Sequence, residues 1–133
     1  MLQEVHCTDN TNSVWSAEWG YQAIFSNYKS NKAGVCILFN NNFNFQIEKV
    51  FVDPQGRFII CNITTNETSL TLANIYTPNE DNSAFFLDLF NHLADFKGKD
   101  IIILFSIWIR TREAAFLTLM KIVLNLFKNF LIN

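Results

Sequence analysis

A chain of 133 residues with 50% apolar and 17% charged side chains is long enough for one domain with a real core, and too apolar throughout to be disordered. Its net charge of −2 is uneven: residues 1–100 carry six basic and eleven acidic groups, residues 101–133 four and one. Neither part forms a basic surface that would hold nucleic acid by charge alone, whereas an acidic body suits a site that gathers divalent cations.

In chain order, Leu2-Gln3-Glu4-Val5-His6 reads as a strand end carrying a carboxylate. Thr8–Ser13 is polar and turn-like, and Val14–Trp19 predicts a short helical turn. Tyr21–Ser26 follows as a strand and Asn27–Lys32 as a loop. Ala33–Phe39 is an unbroken apolar run, the pattern of a strand buried on both faces. Phe45–Val52 is the next strand. Asp53-Pro54-Gln55-Gly56 is a strong turn, because proline presets φ at its second position and glycine closes it. Arg57–Thr65 returns, Asn66-Glu67 turns again, and Ser69–Tyr76 completes an antiparallel meander. On that last strand Leu70, Leu72, Asn74 and Tyr76 share one face, opposite Thr71, Ala73 and Ile75.

A helix is predicted over Ser83–Phe96, capped by Asn82 or Ser83 and ended by Lys97-Gly98, with Phe85, Phe86, Leu89, Phe90 and Leu93 on its apolar face. Ile101–Ile109 predicts an interior strand. Glu113–Asn129 predicts a second helix, amphipathic rather than membrane-spanning because Lys121, Asn125 and Lys128 interrupt it. Cys7, Cys36 and Cys61 are odd in number and lack metal-type spacing, so buried reduced thiols are expected. Reduced thiols and the absence of a signal-peptide pattern after Met1 imply an intracellular setting, nucleus or cytoplasm.

Two short segments carry chemistry. Glu4, at a strand end, offers oxygen to a hard cation such as Mg²⁺. In Asn74-Ile75-Tyr76-Thr77-Pro78-Asn79, a strand ends by presenting a phenol and then an amide, both able to hydrogen-bond phosphate oxygens without adding charge. Singly, each has a plainer reading as surface charge, core packing or strand terminator.

Together with Trp15, Trp19, Ser30-Asn31-Lys32-Ala33-Gly34-Val35-Cys36-Ile37-Leu38 and the Asp53–Arg57 turn, their order and spacing resemble the endonuclease/exonuclease/phosphatase superfamily of DNase-I-like enzymes. The likeness is strongest to the endonuclease domain of LINE-type retrotransposon polyproteins. The resemblance implies that Glu4 binds the catalytic Mg²⁺, that Tyr76 and His6 belong to the active site, and that Asn79 contacts the phosphate backbone of DNA. It covers residues 1–104. Beyond that the chain departs from the family. In Phe105-Ser106-Ile107-Trp108-Ile109, isoleucines stand near the places of the Asp and Asn of the family's Gly-Asp-Phe-Asn, the family's Ser-Asp-His is absent, and its first strand would precede Met1.

The expectation is therefore an α/β fold: a partial two-sheet sandwich, mainly antiparallel, with flanking helices. Residues 1–104 would be the N-terminal portion of the endonuclease domain and residues 105–133 a divergent amphipathic tail. The function implied is that of a Mg²⁺-dependent DNA endonuclease fragment, inactive as written. The alternative is a decayed fragment with at most weak binding to nucleic acid or protein. No membrane partner is expected, and oligomeric state is not legible.

Overall fold

A computed structural model describes residues 1–66, 68–79 and 82–96, and the backbone of 100–106. Its elements are β1 (Leu2–Gln3), α1 (Asp9–Trp19), β2 (Ala23–Ser26), β3 (Val35–Leu38), β4 (Gln46–Val52), β5 (Phe58–Thr64), β6 (Ser69–Tyr76), α2 (Ser83–Ala94) and β7 (Asp100–Ser106). Two sheets face each other. The smaller is antiparallel in the order β1-β3-β2, and the larger runs β4-β5-β6-β7. The β4-β5-β6 meander is antiparallel as expected, and β7 joins it parallel to β6, after the α2 crossover. The α/β sandwich read from the sequence is thus present. The strand expected over Ile101–Ile109 is present as β7 over Asp100–Ser106, which stands last in its sheet among the described residues, and residues 107–109 lie outside them. The helix expected over Glu113–Asn129 lies outside them.

Strands β5 and β6 are packed on both faces, whereas β4 is largely exposed. Ile59, Cys61, Ile63, Leu72 and Tyr76 face the small sheet and meet Val35 and Ile37. Phe58, Ile60, Ala73 and Ile75 face α2 and meet Leu89, Leu93 and Phe96. Each Val, Leu, Ile or Phe among them contributes roughly 1.5–3 kcal/mol on burial. Strand β4 serves both layers by means of a bulge at Glu48: the register slips between Ile47 and Lys49. Ile47 therefore packs into the sandwich while Phe51, four residues on, packs under α2. Past the bulge, Lys49 reaches the C-terminal end of α2. It donates to the Asp95 carbonyl at 3.0 Å and lies 4.5 Å from the centre of the Phe96 ring.

Helix α1 is longer than expected. The polar stretch before Val14 is helical from Asp9, because Thr8 and Thr11 close its first turn: the Thr8 amide donates to Thr11 Oγ1 and the Thr11 amide to the Thr8 carbonyl, both at 2.9 Å. The helix buries no residue fully. Polar bonds fasten it instead. Asn27 Nδ2 donates to Asp9 Oδ1 (2.9 Å) and Asn12 Oδ1 (3.0 Å), and Trp19 Nε1 donates to the Phe39 carbonyl (2.9 Å). Helix α2 starts where Asn82 was expected to cap it, its Oδ1 accepting from the Phe85 amide at 3.0 Å. The cysteines are free and buried.

Candidate functional site

The motif residues gather at one end of the sandwich, where β1 leaves the small sheet, β6 finishes, and the Asp53–Gly56 turn joins β4 to β5. The turn closes with the Gly56 amide on the Asp53 carbonyl (3.1 Å) and the Arg57 amide on Asp53 Oδ2 (2.9 Å). Backbone conformation sets this end apart. Glu4, His6 and Ala33 all adopt left-handed φ (52°, 51° and 58°), as do Gly34 (97°) and Gly56 (70°). For an L residue that geometry costs roughly 1–2 kcal/mol. Tertiary hydrogen bonds enforce it: Val5 N to Gly34 O (3.1 Å), His6 N to Ala33 O (3.4 Å) and Gly34 N to Gly56 O (2.9 Å). Three chain segments meet backbone to backbone. A Cβ on Gly56 would come 2.9 Å from Tyr28 Cβ and 3.0 Å from Gly34 N, so only glycine fits. The expected strand over Ala33–Phe39 is corrected accordingly: Ala33 and Gly34 bend away, and pairing begins at Val35.

The bend brings Glu4 to β6. The Tyr76 hydroxyl donates to Glu4 Oε1 in a short hydrogen bond across 72 positions of sequence. Tyr76 is buried and Glu4 exposed, so the carboxylate opens to solvent beside a shielded phenol. Burial first, then the hydrogen bond to the Glu4 carboxylate and its charge, push the Tyr76 phenol up to about 12, against the opposing pull of Arg57. Near neutral pH Tyr76 is consequently a neutral donor. Arg57 flanks it: the Tyr76 amide donates to the Arg57 carbonyl at 2.7 Å, and the guanidinium carbon lies 5.1 Å from the Tyr76 ring centre.

Behind this pair, Asn74 latches the sheets together. It is fully buried, yet its Nδ2 donates to the carbonyls of Leu2 (2.8 Å) and Cys36 (2.9 Å), while its Oδ1 accepts from Gln3 Nε2 (2.9 Å). Gln3 Nε2 also reaches the Ile75 carbonyl at 3.0 Å. Gln3 and Asn74 thereby fix the strand that delivers Glu4 to the strand that delivers Tyr76. The sequence reading named neither of these two nor Arg57 as site residues. An amide on the sandwich-facing side of an otherwise apolar strand was the available signal for Asn74.

The other two candidates are not drawn in. His6 is exposed, and among the described residues its imidazole makes no hydrogen bond. Asn79 is exposed too, with no side-chain hydrogen bond among the described residues. His92 lies on the opposite, α2 face of the large sheet, stacked 3.7 Å from the Phe51 ring and 3.5 Å from Asp88.

Glu4 is also the candidate cation ligand. Mg²⁺ takes six oxygens in near-octahedral geometry, usually one or two carboxylates with water and substrate phosphate. Here one oxygen of Glu4 is engaged by Tyr76, and among the described residues no three Asp, Glu, His or Cys side chains cluster as a metal site. These residues do not make a resident Mg²⁺ site by themselves.

The far end of the sandwich is different. Gly20–Gln22 and Phe39–Phe45 line an open groove of about 550 Å³, where Phe45 stacks between Phe39 (4.5 Å) and Phe43 (5.5 Å) amid asparagines. No helix among the described residues is long and apolar enough to cross a membrane.

No protein-family model matches the chain. A stretch of 77 residues, 58% of the chain, is 26% identical to the Transposon TX1 uncharacterized 149 kDa protein of Xenopus laevis. The match spans 6% of that protein's length. The chain is therefore similar to a small part of a transposon protein.

Proposed function

We propose that residues 1–104 are the N-terminal portion of a LINE-type retrotransposon endonuclease domain, that residues 105–133 are a divergent tail, and that the chain as written binds DNA phosphates weakly without hydrolysing them. The observation carrying this reading is the Tyr76–Glu4 hydrogen bond: the carboxylate and the phenol that the resemblance assigns to one site lie in contact, 72 positions apart. The likeness to a transposon protein supports the same parentage.

The retained residues can perform part of a phosphodiesterase's work. Tyr76, kept protonated, can donate to a phosphate oxygen, and Asn79 on the following loop can offer its amide. Hydrolysis further requires a group that orients or deprotonates water and a cation held by several ligands. Near the places where the family supplies the carboxylate and amide for this, the chain has Ile107 and Ile109, which can neither bind a cation nor accept a proton. Mg²⁺, when present, would polarise the phosphoryl group. Glu4 alone does not retain it, so no hydrolytic step follows.

The test is incubation with supercoiled plasmid and Mg²⁺, beside Glu4→Ala, together with duplex-DNA binding over a range of salt. Intact plasmid and weak binding that falls with salt support the proposal. Nicking that disappears in Glu4→Ala would overturn the inactivity. A folded chain that binds no DNA at low salt would overturn the retained phosphate site.

A further inference from the structure

Arg57 is a half-buried cation beside the Glu4–Tyr76 pair, and among the described residues little of its hydrogen-bonding capacity is used. Of the five N–H donors in a guanidinium, Nη1 makes one long bond, 3.4 Å to the Thr77 carbonyl. Among the described residues it forms no ion pair. Its neighbours place it. The Arg57 backbone is held at both ends, by Asp53 Oδ2 on its amide and by the Tyr76 amide on its carbonyl, and the side chain lies against the Tyr76 ring. A guanidinium held against a ring, with no ion-pair partner among the described residues, suits bidentate contact with a tetrahedral oxyanion, the role for which its fork is better shaped than an ammonium. The Tyr76 hydroxyl is a second donor on the same side chain that Arg57 covers.

We infer that Arg57 is the anion-receiving group of this site, gripping a phosphodiester oxygen pair on the flank of the Tyr76 ring while the Tyr76 hydroxyl turns from Glu4 to the same phosphate. This deepens the proposed function and rests on its reading that the site faces a nucleic-acid phosphate. Two charges set the affinity. Arg57 attracts the anion and Glu4 repels it, so in the absence of a divalent cation binding is weak, and removing the Glu4 charge strengthens it.

Heteronuclear NMR of the full chain tests this with two probes, dimethyl phosphate and thymidylyl-(3′→5′)-thymidine, without divalent metal. Both should shift the Arg57 Nε–Hε and Tyr76 ring signals. Arg57→Gln should weaken binding at least about 10-fold and Arg57→Lys less, since the charge survives but the fork does not. Glu4→Gln should tighten it. The amide spectrum of each variant shows whether it is folded; were Arg57→Gln unfolded, Arg57→Lys and the Nε–Hε shift of the native chain still decide. Either probe binding without moving the Arg57 signal, or binding undiminished in a folded Arg57→Gln, overturns the inference while leaving DNA binding intact. Dimethyl phosphate binding at Arg57 in a chain that ignores thymidylyl-thymidine and duplex DNA supports the anion site and sinks the nucleic-acid reading instead.

Discussion

The two ends of this sandwich are built on opposite terms. At the Glu4–Tyr76 end, three segments distant in sequence are pressed together backbone to backbone, and three non-glycine residues hold left-handed φ. At the Phe39–Phe45 end the chain turns in open space: a Cβ on Gly20 would meet nothing within 4 Å, and a groove remains between the loops. Strained backbone survives only where neighbours over-determine it. The strain lies at the end that carries a carboxylate, a protonated phenol and an arginine. The relaxed end carries stacked rings and amides. Which end is constrained therefore coincides with which end holds the groups able to meet a phosphate.

The sharpest way to break this comparison is to remove the latch behind the strained end. Asn74→Ala leaves the Leu2 and Cys36 carbonyls and Gln3 Nε2 without their partner inside the sandwich. We expect a loss of about 3–5 kcal/mol in urea unfolding, from unsatisfied buried polar groups together with a small cavity. At the relaxed end, Trp19→Phe removes one bond to the Phe39 carbonyl, in a partly exposed setting. It should cost only about 1 kcal/mol. Equal losses would mean that the two ends are equally tied.

The glycines sharpen the same contrast. Gly56 and Gly20 share nearly the same φ, 70° and 78°. An alanine pays the left-handed penalty at both, but only at residue 56 does its methyl strike Tyr28 Cβ and the Gly34 amide. Gly56→Ala should cost about 2–4 kcal/mol and Gly20→Ala about 1 kcal/mol, measured by thermal or urea melts. A Gly56→Ala variant as stable as Gly20→Ala would show that the approach of the three segments is loose.

This contrast was only half legible in the sequence. The meander and the α2 face were readable, the first from three apolar runs joined by short turns and the second from Phe85–Leu93 at helical spacing. The first turns of α1 were not, because a helix that buries no residue fully leaves no clear apolar rhythm; its cap at Thr8 and Thr11 was the remaining sign. Ala33-Gly34-Val35 looked like strand because small apolar residues do not reveal a left-handed bend. The Glu4–Tyr76 contact was reached by resemblance to a family, and no local pattern could have predicted it. Arg57 was hidden in a turn read for its proline and glycine.

The smallest expected effect isolates the buried phenol. Unfolded Tyr76 loses its proton near pH 10, but in the fold it holds that proton until about 12, so above pH 10 the unfolded state gains charge first and stability must fall. Cys36 and Cys61, buried and pushed from 9.0 up to about 11, add a fall that starts near pH 9. In urea midpoints between pH 8 and 11, Tyr76→Phe should retain about 1 kcal/mol more of its neutral-pH stability at pH 11 than the native chain does. Glu4→Gln should keep most of the native fall, because burial is the larger cause and the carboxylate the lesser. If Glu4→Gln removed that fall entirely, the phenol would owe its proton to the carboxylate rather than to the packing. The strained end would then be an electrostatic clasp rather than a sealed one, and its resemblance to a site prepared for an anion would weaken accordingly.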